Sequence, residues 1–164
     1  MTEQHPRTVA RQLVEYMRRN NDESMVLELA RLTADRANGG REAYSVACEL
    51  VAALARMMFT ASGPQNGGDE QTYGLELTND DDQEITIDEA SPPVRAAVRA
   101  LLAELNEHHE DAEFQVDLAL REATFKATLE VYAHVLLWTV EMLDWCDTNH
   151  VARPHWLGPV VSPR

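Results

Sequence analysis

Between Pro93 and Pro154 the chain runs for 60 consecutive residues without a glycine or a proline. This stretch is rich in Ala, Leu, Glu and Val at helical spacing, and therefore predicts long helices. Residues 129–146 within it carry apolar side chains around most of the helix circumference, which is typical of a helix covered on nearly all sides. We therefore expect the C-terminal half to be helical, with residues 129–146 covered on most sides.

Three further helices and a hairpin are predicted before this stretch. The spacing of apolar residues indicates helices over about 7–19, from Asp22 to the glycine pair at 39–40, and over 42–61. Residues 62–72 mix Gly, Pro and polar residues and are interpreted as an exposed loop. Apolar and polar residues then alternate on both sides of NDDDQ, which predicts a short β-hairpin with an acidic tip.

The fourth helix is expected to begin after Ser91, since serine is a good helix cap and the two prolines that follow it tolerate the first turn. An unbroken helix from there to Asn149 would span roughly 85 Å, whereas a compact domain of this size is only about 40 Å across. The chain must therefore fold back, and residues 106–111 (NEHHED) are the predicted corner. A fifth helix is then expected from Ala112 to Thr148.

The predicted fold is therefore all-α. It is a bundle of about five helices with a long C-terminal helix and a small acidic β-hairpin between helices 3 and 4. A single helical domain is expected over residues 1–164, with a loop and hairpin insertion at 62–91 and an extended tail at 151–164. Trp156 and Leu157 are expected to dock the tail on the body.

The formal charge of −14 is distributed unevenly. Residues 1–62 hold eight acidic residues and eight arginines, whereas residues 63–164 hold twenty acidic and six basic residues. A field of this sign repels phosphate and attracts cationic partners, so nucleic acid is disfavoured as a ligand of the C-terminal half. The sequence instead predicts a basic partner.

Cys48 and Cys146 both lie inside apolar helical runs, and no secretory leader is evident, so we expect a cytoplasmic protein with reduced, buried thiols. Charged residues interrupt each long apolar run, so no membrane span is predicted. Arginine outnumbers lysine thirteen to one, which is typical of a GC-rich bacterial genome.

Two Glu-x-x-x-His pairs are the candidate metal or ligand residues: Glu104 with His108, and Glu130 with His134. On a helix this spacing places both side chains on one face. With a corner near residue 110, however, the pairs lie roughly 20 Å apart along the helix axis and cannot form one intramolecular site. Glu141 continues the stripe of the second pair. That stripe is interpreted first as a solvent face and alternatively as the polar lining of a pocket.

No phosphate loop, nucleophile elbow or glycine-rich dinucleotide turn occurs, so no catalytic residue and no cofactor is predicted. The leading hypothesis is a non-enzymatic interaction or regulatory protein that forms a homodimer and engages a basic partner. Its interface is predicted on the long C-terminal helix, at Tyr132, Trp138, Met142 and Trp145.

Two alternatives stay open at this point. The first is a ligand- or metal-binding helical bundle, with or without catalytic activity, in which Glu130, His134 and Glu141 point inward. The second is a DNA-binding regulator, which would require helices 1–3 to expose a basic face. The apolar circumference of helix 3 disfavours this second alternative, because a recognition helix must face water before it meets DNA.

Overall fold

A computed structural model describes residues 4–34, 41–62, 77–78, 84–85, 89–121 and 124–157 of the chain. The all-α class is confirmed, but the described residues form six helices, so the predicted number of about five is too low by one. The helices are α1 (Gln4–Arg18), α2 (Asp22–Ala34), α3 (Arg41–Ser62), α4 (Pro92–Leu105), α5 (His109–Leu120) and α6 (Phe125–Thr148).

The hairpin is not seen at the predicted extent. The described residues between α3 and α4 include only two antiparallel two-residue strands, β1 (Leu77–Thr78) and β2 (Glu84–Ile85). Leu77 pairs with Ile85, and Thr78 pairs with Glu84. The predicted acidic tip and most of the predicted loop lie outside the described residues.

Helix α3 lies at the centre of the bundle and packs against α1, α4, α5 and α6. The reason is its composition, since apolar residues occupy most of its circumference from Ala43 to Met57. All six helices contribute to one apolar core around it, together with Leu157 of the tail. The side chains with no exposed surface at all include Leu13, Leu29, Leu32, Val46, Leu50 and Leu136.

Among the helix ends that the structure describes, three have the same form, with a left-handed residue that is not glycine. Asn20, Glu107 and His150 have φ angles of 55°, 63° and 56° and follow α1, α4 and α6. In each case the next residue donates its backbone N–H to a carbonyl five residues back, as in a Schellman motif. These bonds are Asn21 N to Tyr16 O (2.8 Å), His108 N to Ala103 O (2.8 Å) and Val151 N to Cys146 O (2.9 Å).

The corner at residues 106–111 is confirmed, because α4 ends at Leu105 and α5 starts at His109. The unbroken fifth helix from Ala112 to Thr148 is wrong, since α5 ends at Leu120 and α6 begins only at Phe125. The break is built around Thr124, whose backbone is extended and whose hydroxyl accepts a 3.1 Å hydrogen bond from the Ala127 N–H. Threonine is a good helix cap, so it starts a new helix here without glycine or proline.

The tail after α6 packs on the body as predicted. Residues 151–154 have no regular secondary structure, and one short 3₁₀ helix, His155–Leu157, follows them. Leu157 is buried and Trp156 packs against the main core. The Arg7 guanidinium lies over the Trp156 ring, 5.6 Å from its centroid, and this cation–π contact joins the tail to α1.

Residues 41–61 of α3 are long and apolar enough, by length and composition alone, to cross a membrane. Half of that segment is buried inside the protein. A helix at the centre of a globular core passes the same test, so a single helix of this kind is weak evidence for a membrane span.

Replacing Thr124 by alanine should lower the free energy of unfolding by about 1 kcal/mol, because the first turn of α6 loses its side-chain cap. Urea denaturation followed by circular dichroism measures this change. Thr60→Ala is the matched control, since the Thr60 hydroxyl only donates to the Arg56 carbonyl within α3. Equal losses in the two variants would contradict the capping role of Thr124.

Candidate functional site

The candidate pair on α6, Glu130 and His134, is engaged in contacts within the protein. The Glu130 carboxylate accepts a 2.7 Å hydrogen bond from the Ser91 hydroxyl, which joins α6 to the start of α4. His134 Nδ1 donates to the Glu130 backbone carbonyl at 2.8 Å, and its ring lies edge-on to Trp138 at 5.8 Å. The contact of Glu130 joins α4 to α6, those of His134 lie within α6, and the two side chains do not point at a common ligand.

The other candidate pair, Glu104 and His108, is separated by the corner. Glu104 lies in the last turn of α4, whereas His108 is the exposed residue that precedes α5. The Glu104 carboxylate contacts the ring of His109 instead. Glu104 and His108 therefore do not share one helix face as predicted, because the chain leaves the helix at Asn106, between them.

Glu141, the remaining candidate of the polar stripe, is exposed on α6. Neighbouring positions of the stripe, Lys126 and Asp144, are exposed as well, whereas Glu130 and His134 are half-buried. Within the described part of the chain, no group of three or more His, Cys, Asp or Glu side chains is arranged to hold a metal ion.

The four residues predicted for an interface have different surroundings. Tyr132 is 1% exposed, and its hydroxyl donates to the Ala43 carbonyl of α3, so this side chain belongs to the core of the single chain. Trp138 and Met142 are half-buried and pack against that core. Trp145 alone has a substantially exposed side chain, at 37%. Because the rest of the chain covers one side of α6, only the outer face of this helix is available to a partner.

A cleft of about 670 Å³ opens where α3, the α4–α5 corner and the tail meet, and we call it the tail cleft. Its floor is formed by small residues of α3, namely Ala52, Ala53 and Ala55. A neighbouring hollow of about 560 Å³ lies between α3 and α5 and shares several residues with it. The shared residues are Arg7, Glu49, Ala52, Glu104 and His109.

Charged groups of both signs line the tail cleft. Arg7 Nε donates to the Glu49 carboxylate at 2.9 Å, so these two charges largely cancel. On the tail, Arg153 is only 11% exposed and contacts Asp147 at 3.5 Å through a single nitrogen. On the corner, Glu107 is exposed next to the Glu104–His109 contact. Sequence reasoning missed this cleft, since its parts come from four distant segments.

Cys48 lines the hollow between α3 and α5, beside Tyr44. Burial raises the pKa of the Cys48 thiol to about 12, although a hydrogen bond with Tyr44 opposes part of this shift. Burial also raises the pKa of Cys146, which has no exposed surface. Because the thiolate is the reactive form of cysteine, neither residue has the environment of a catalytic nucleophile.

A second surface stands out on the outer face of α5. Phe114 and Leu118 are 54% and 46% exposed and lie one helical turn apart. Acidic residues surround them: Glu110, Asp111, Glu113 and Asp117. We call these six residues the α5 surface. The only basic residue beside it on this helix end, Arg121, is already paired with Asp117.

The sequence contains the apolar spacing of the α5 surface, but the basic partner was predicted only from the overall charge of this region. The buried residues of α5 are Ala112 and Val116, and they face the bundle. Phe114 and Leu118 repeat at the same interval on the opposite face, where a helix normally carries polar side chains. A helix with large apolar residues on both faces indicates a second contact surface.

The chain matches no protein-family model, no curated protein and no solved structure. The candidate site is therefore defined by the geometry of this chain alone.

Neither thiol of the folded protein should react readily with Ellman's reagent at pH 8. The raised pKa of Cys48 leaves it about a thousandfold less thiolate than a thiol with the ordinary value of 9.0. Both thiols should react once guanidinium unfolds the chain. A Cys146→Ser variant assigns any residual reactivity to Cys48, and rapid labelling of that folded variant would contradict the burial of Cys48.

Proposed function

We propose that this protein is a non-enzymatic interaction module, and that its α5 surface binds a basic amphipathic segment of a partner protein. The observation that carries this proposal is the exposure of Phe114 and Leu118 between acidic side chains. An apolar pair of this kind offers an anchoring point, and the carboxylates around it favour lysine or arginine at the rim.

The surface has the right chemistry for a helix or extended segment with one apolar stripe. Glu110, Asp111 and Glu113 are exposed, and the Asp117 side chain is 43% exposed. Carboxylates in solvent attract a cationic partner over a Debye length of about 8 Å at physiological salt. The apolar pair then supplies the short-range contact that electrostatic attraction alone lacks.

The uneven charge of the whole chain supports the same partner. Residues 63–164, which include the α5 surface, carry an excess of fourteen acidic residues over basic ones. A long-range field of this sign speeds association with basic proteins and opposes association with nucleic acid.

Replacing Phe114 or Leu118 by serine should weaken binding of a basic amphipathic peptide about tenfold or more, since the apolar anchor is lost. The probe is a fluorescein-labelled helical peptide with a leucine stripe flanked by lysines, and fluorescence anisotropy measures its affinity. Raising the salt concentration should weaken binding to the wild-type protein, because the rim contacts are ionic.

Leu27→Ser is the matched control, since Leu27 is 65% exposed on α2 and lies outside the α5 surface. That variant should bind the peptide as the wild type does. A second control peptide keeps the leucines and replaces the lysines by glutamates, and it should not bind. Unchanged affinity in both Phe114→Ser and Leu118→Ser would show that the peptide is held by charge alone and would refute the proposed surface.

The homodimer and the cytoplasmic location stay predictions. For the dimer, α6 offers two exposed apolar residues on its outer face, Leu137 at 46% and Trp145 at 37%. The exposed carboxylates of Glu141 and Asp144 lie between them. Self-association through this face would therefore bring like charges together and should strengthen as salt is added.

Light scattering at micromolar protein tests the dimer directly. We expect a species of twice the 18.4 kDa chain mass in moderate salt. Leu137→Asp should return it to the monomer, whereas Leu27→Asp on α2 should not. A clean 18.4 kDa species at all salt concentrations would contradict the dimer and leave the peptide-binding proposal intact.

A further inference from the structure

The tail cleft lies on a different part of the molecule from Phe114 and Leu118. Its volume of about 670 Å³ falls in the range of small-molecule pockets. The depth comes from the alanines of α3, because larger side chains at Ala52, Ala53 and Ala55 would fill the floor.

The tail wall is cationic and held in place. The Arg153 side chain is 89% covered. Within the described residues it makes one ion pair, in which a single guanidinium nitrogen lies 3.5 Å from the Asp147 carboxylate. A guanidinium carries five N–H donors, so most of this group is left for another acceptor. His155 lies beside it at the rim, and the buried Leu157 fixes this part of the tail on the core.

Arg56 adds a second cation from the end of α3. Its side chain is exposed, lines the cleft, and makes no ion pair within the part of the chain that the structure describes. Two guanidinium groups that face one cleft suit a carboxylate, which accepts their N–H donors in parallel.

The corner wall is anionic. Glu104 and Glu107 line the cleft there, and Glu104 also contacts His109. Glu107 is held at the turn by its left-handed backbone, with φ 63°, and its side chain is exposed. A carboxylate in this position suits an ammonium group and repels an anion, so a purely anionic ligand does not fit the whole cleft.

Aromatic rings complete the lining. Trp156 is half-buried under the Arg7 guanidinium, and Phe59 is 55% exposed at the mouth. Flat apolar surfaces of this kind pack well against an aromatic ring of a ligand. The lining therefore combines a cationic wall, an anionic wall and an aromatic rim over a floor of small residues.

We propose that the tail cleft binds a small zwitterion with an aromatic side chain, of the size of an amino acid or dipeptide. Its carboxylate binds Arg153 and Arg56, its ammonium group binds Glu107, and its ring packs on Trp156 and Phe59. This proposal does not depend on the α5 surface, since neither Phe114 nor Leu118 lines the cleft.

Three probes separate the contributions of the carboxylate and the ammonium group to binding. They are L-phenylalanine, 3-phenylpropanoate, which lacks the ammonium group, and phenethylamine, which lacks the carboxylate. Titration of each into ¹⁵N-labelled full-length protein, followed by two-dimensional NMR, locates and measures binding. L-Phenylalanine should shift the backbone signals of Ala52, Arg153 and Trp156 and bind about tenfold more tightly than either analogue, because each analogue leaves one charged wall unpaired.

Variants at exposed positions should change the affinities of the three probes in different combinations. Arg56→Gln should weaken L-phenylalanine and 3-phenylpropanoate severalfold and should not weaken phenethylamine. Glu107→Gln should weaken L-phenylalanine and phenethylamine and should not weaken 3-phenylpropanoate, because a carboxylate that repels the anion is removed. Arg11→Gln and Glu141→Gln, which change exposed charges outside the cleft, should alter none of the three affinities. Arg153→Gln should behave like Arg56→Gln if its spectrum retains the folded pattern.

Several results would overturn the proposal. The absence of shifts at cleft residues with millimolar L-phenylalanine would remove the site. Equal affinity for all three probes would indicate apolar binding only, and 3-phenylpropanoate as tight as L-phenylalanine would indicate a simple anion site. A Phe114→Ser variant that lost the basic peptide but kept these shifts would separate the two proposals.

Discussion

The burial of α3 is the constraint on which the rest of the structure depends. This helix is apolar from Ala43 to Met57, and a monomer can remove that surface from water only by covering the helix on several sides. Helices α1, α4, α5 and α6 all pack against it, and the Tyr132 hydroxyl of α6 bonds the Ala43 carbonyl at its start. The positions of the other helices follow from this requirement.

The α5 surface and the tail cleft both arise from the way in which α3 is covered. Trp156 and Leu157 of the tail pack on the core beside α3, and the alanines of α3 leave a cleft between the tail and the corner. Helix α5 covers another side with the small residues Ala112 and Val116. Its larger residues, Phe114 and Leu118, are therefore left on the outside.

Much of the fold could be predicted, because ordinary local signals mark most of the helix ends. The boundaries predicted from three signals lie within a few residues of those observed. These signals are the asparagines at 20–21, the serine and prolines at 91–93, and the length limit on a single helix. The break before Phe125 was missed because no glycine or proline marks it. Thr124 is compatible with a helix interior as well as with a cap, and tertiary packing decides between the two.

The candidate site was harder to predict than the fold. Helical spacing paired Glu104 with His108, but the left-handed Glu107 ends the helix between them and brings Glu104 to His109 instead. Glu130 and His134 do share a helix, yet their polar atoms are used by Ser91 and by the backbone. The tail cleft joins Arg7, Glu104 and Trp156, and no sequence spacing relates residues that far apart.

The distribution of charge explains why one small chain can present two chemically different surfaces. In the tail cleft, arginines from α1, α3 and the tail lie opposite the carboxylates of the corner, so the net electric field is small. Ligand recognition there depends on the position of each charged group. On α5, four carboxylates face solvent and a single arginine opposes them, so the field is strong and of one sign. A field of one sign attracts a large cationic partner from a distance, whereas separated opposite charges orient a small molecule only at contact. The one-signed field is therefore a property of the α5 surface, whereas the chemistry of the cleft depends on local pairing.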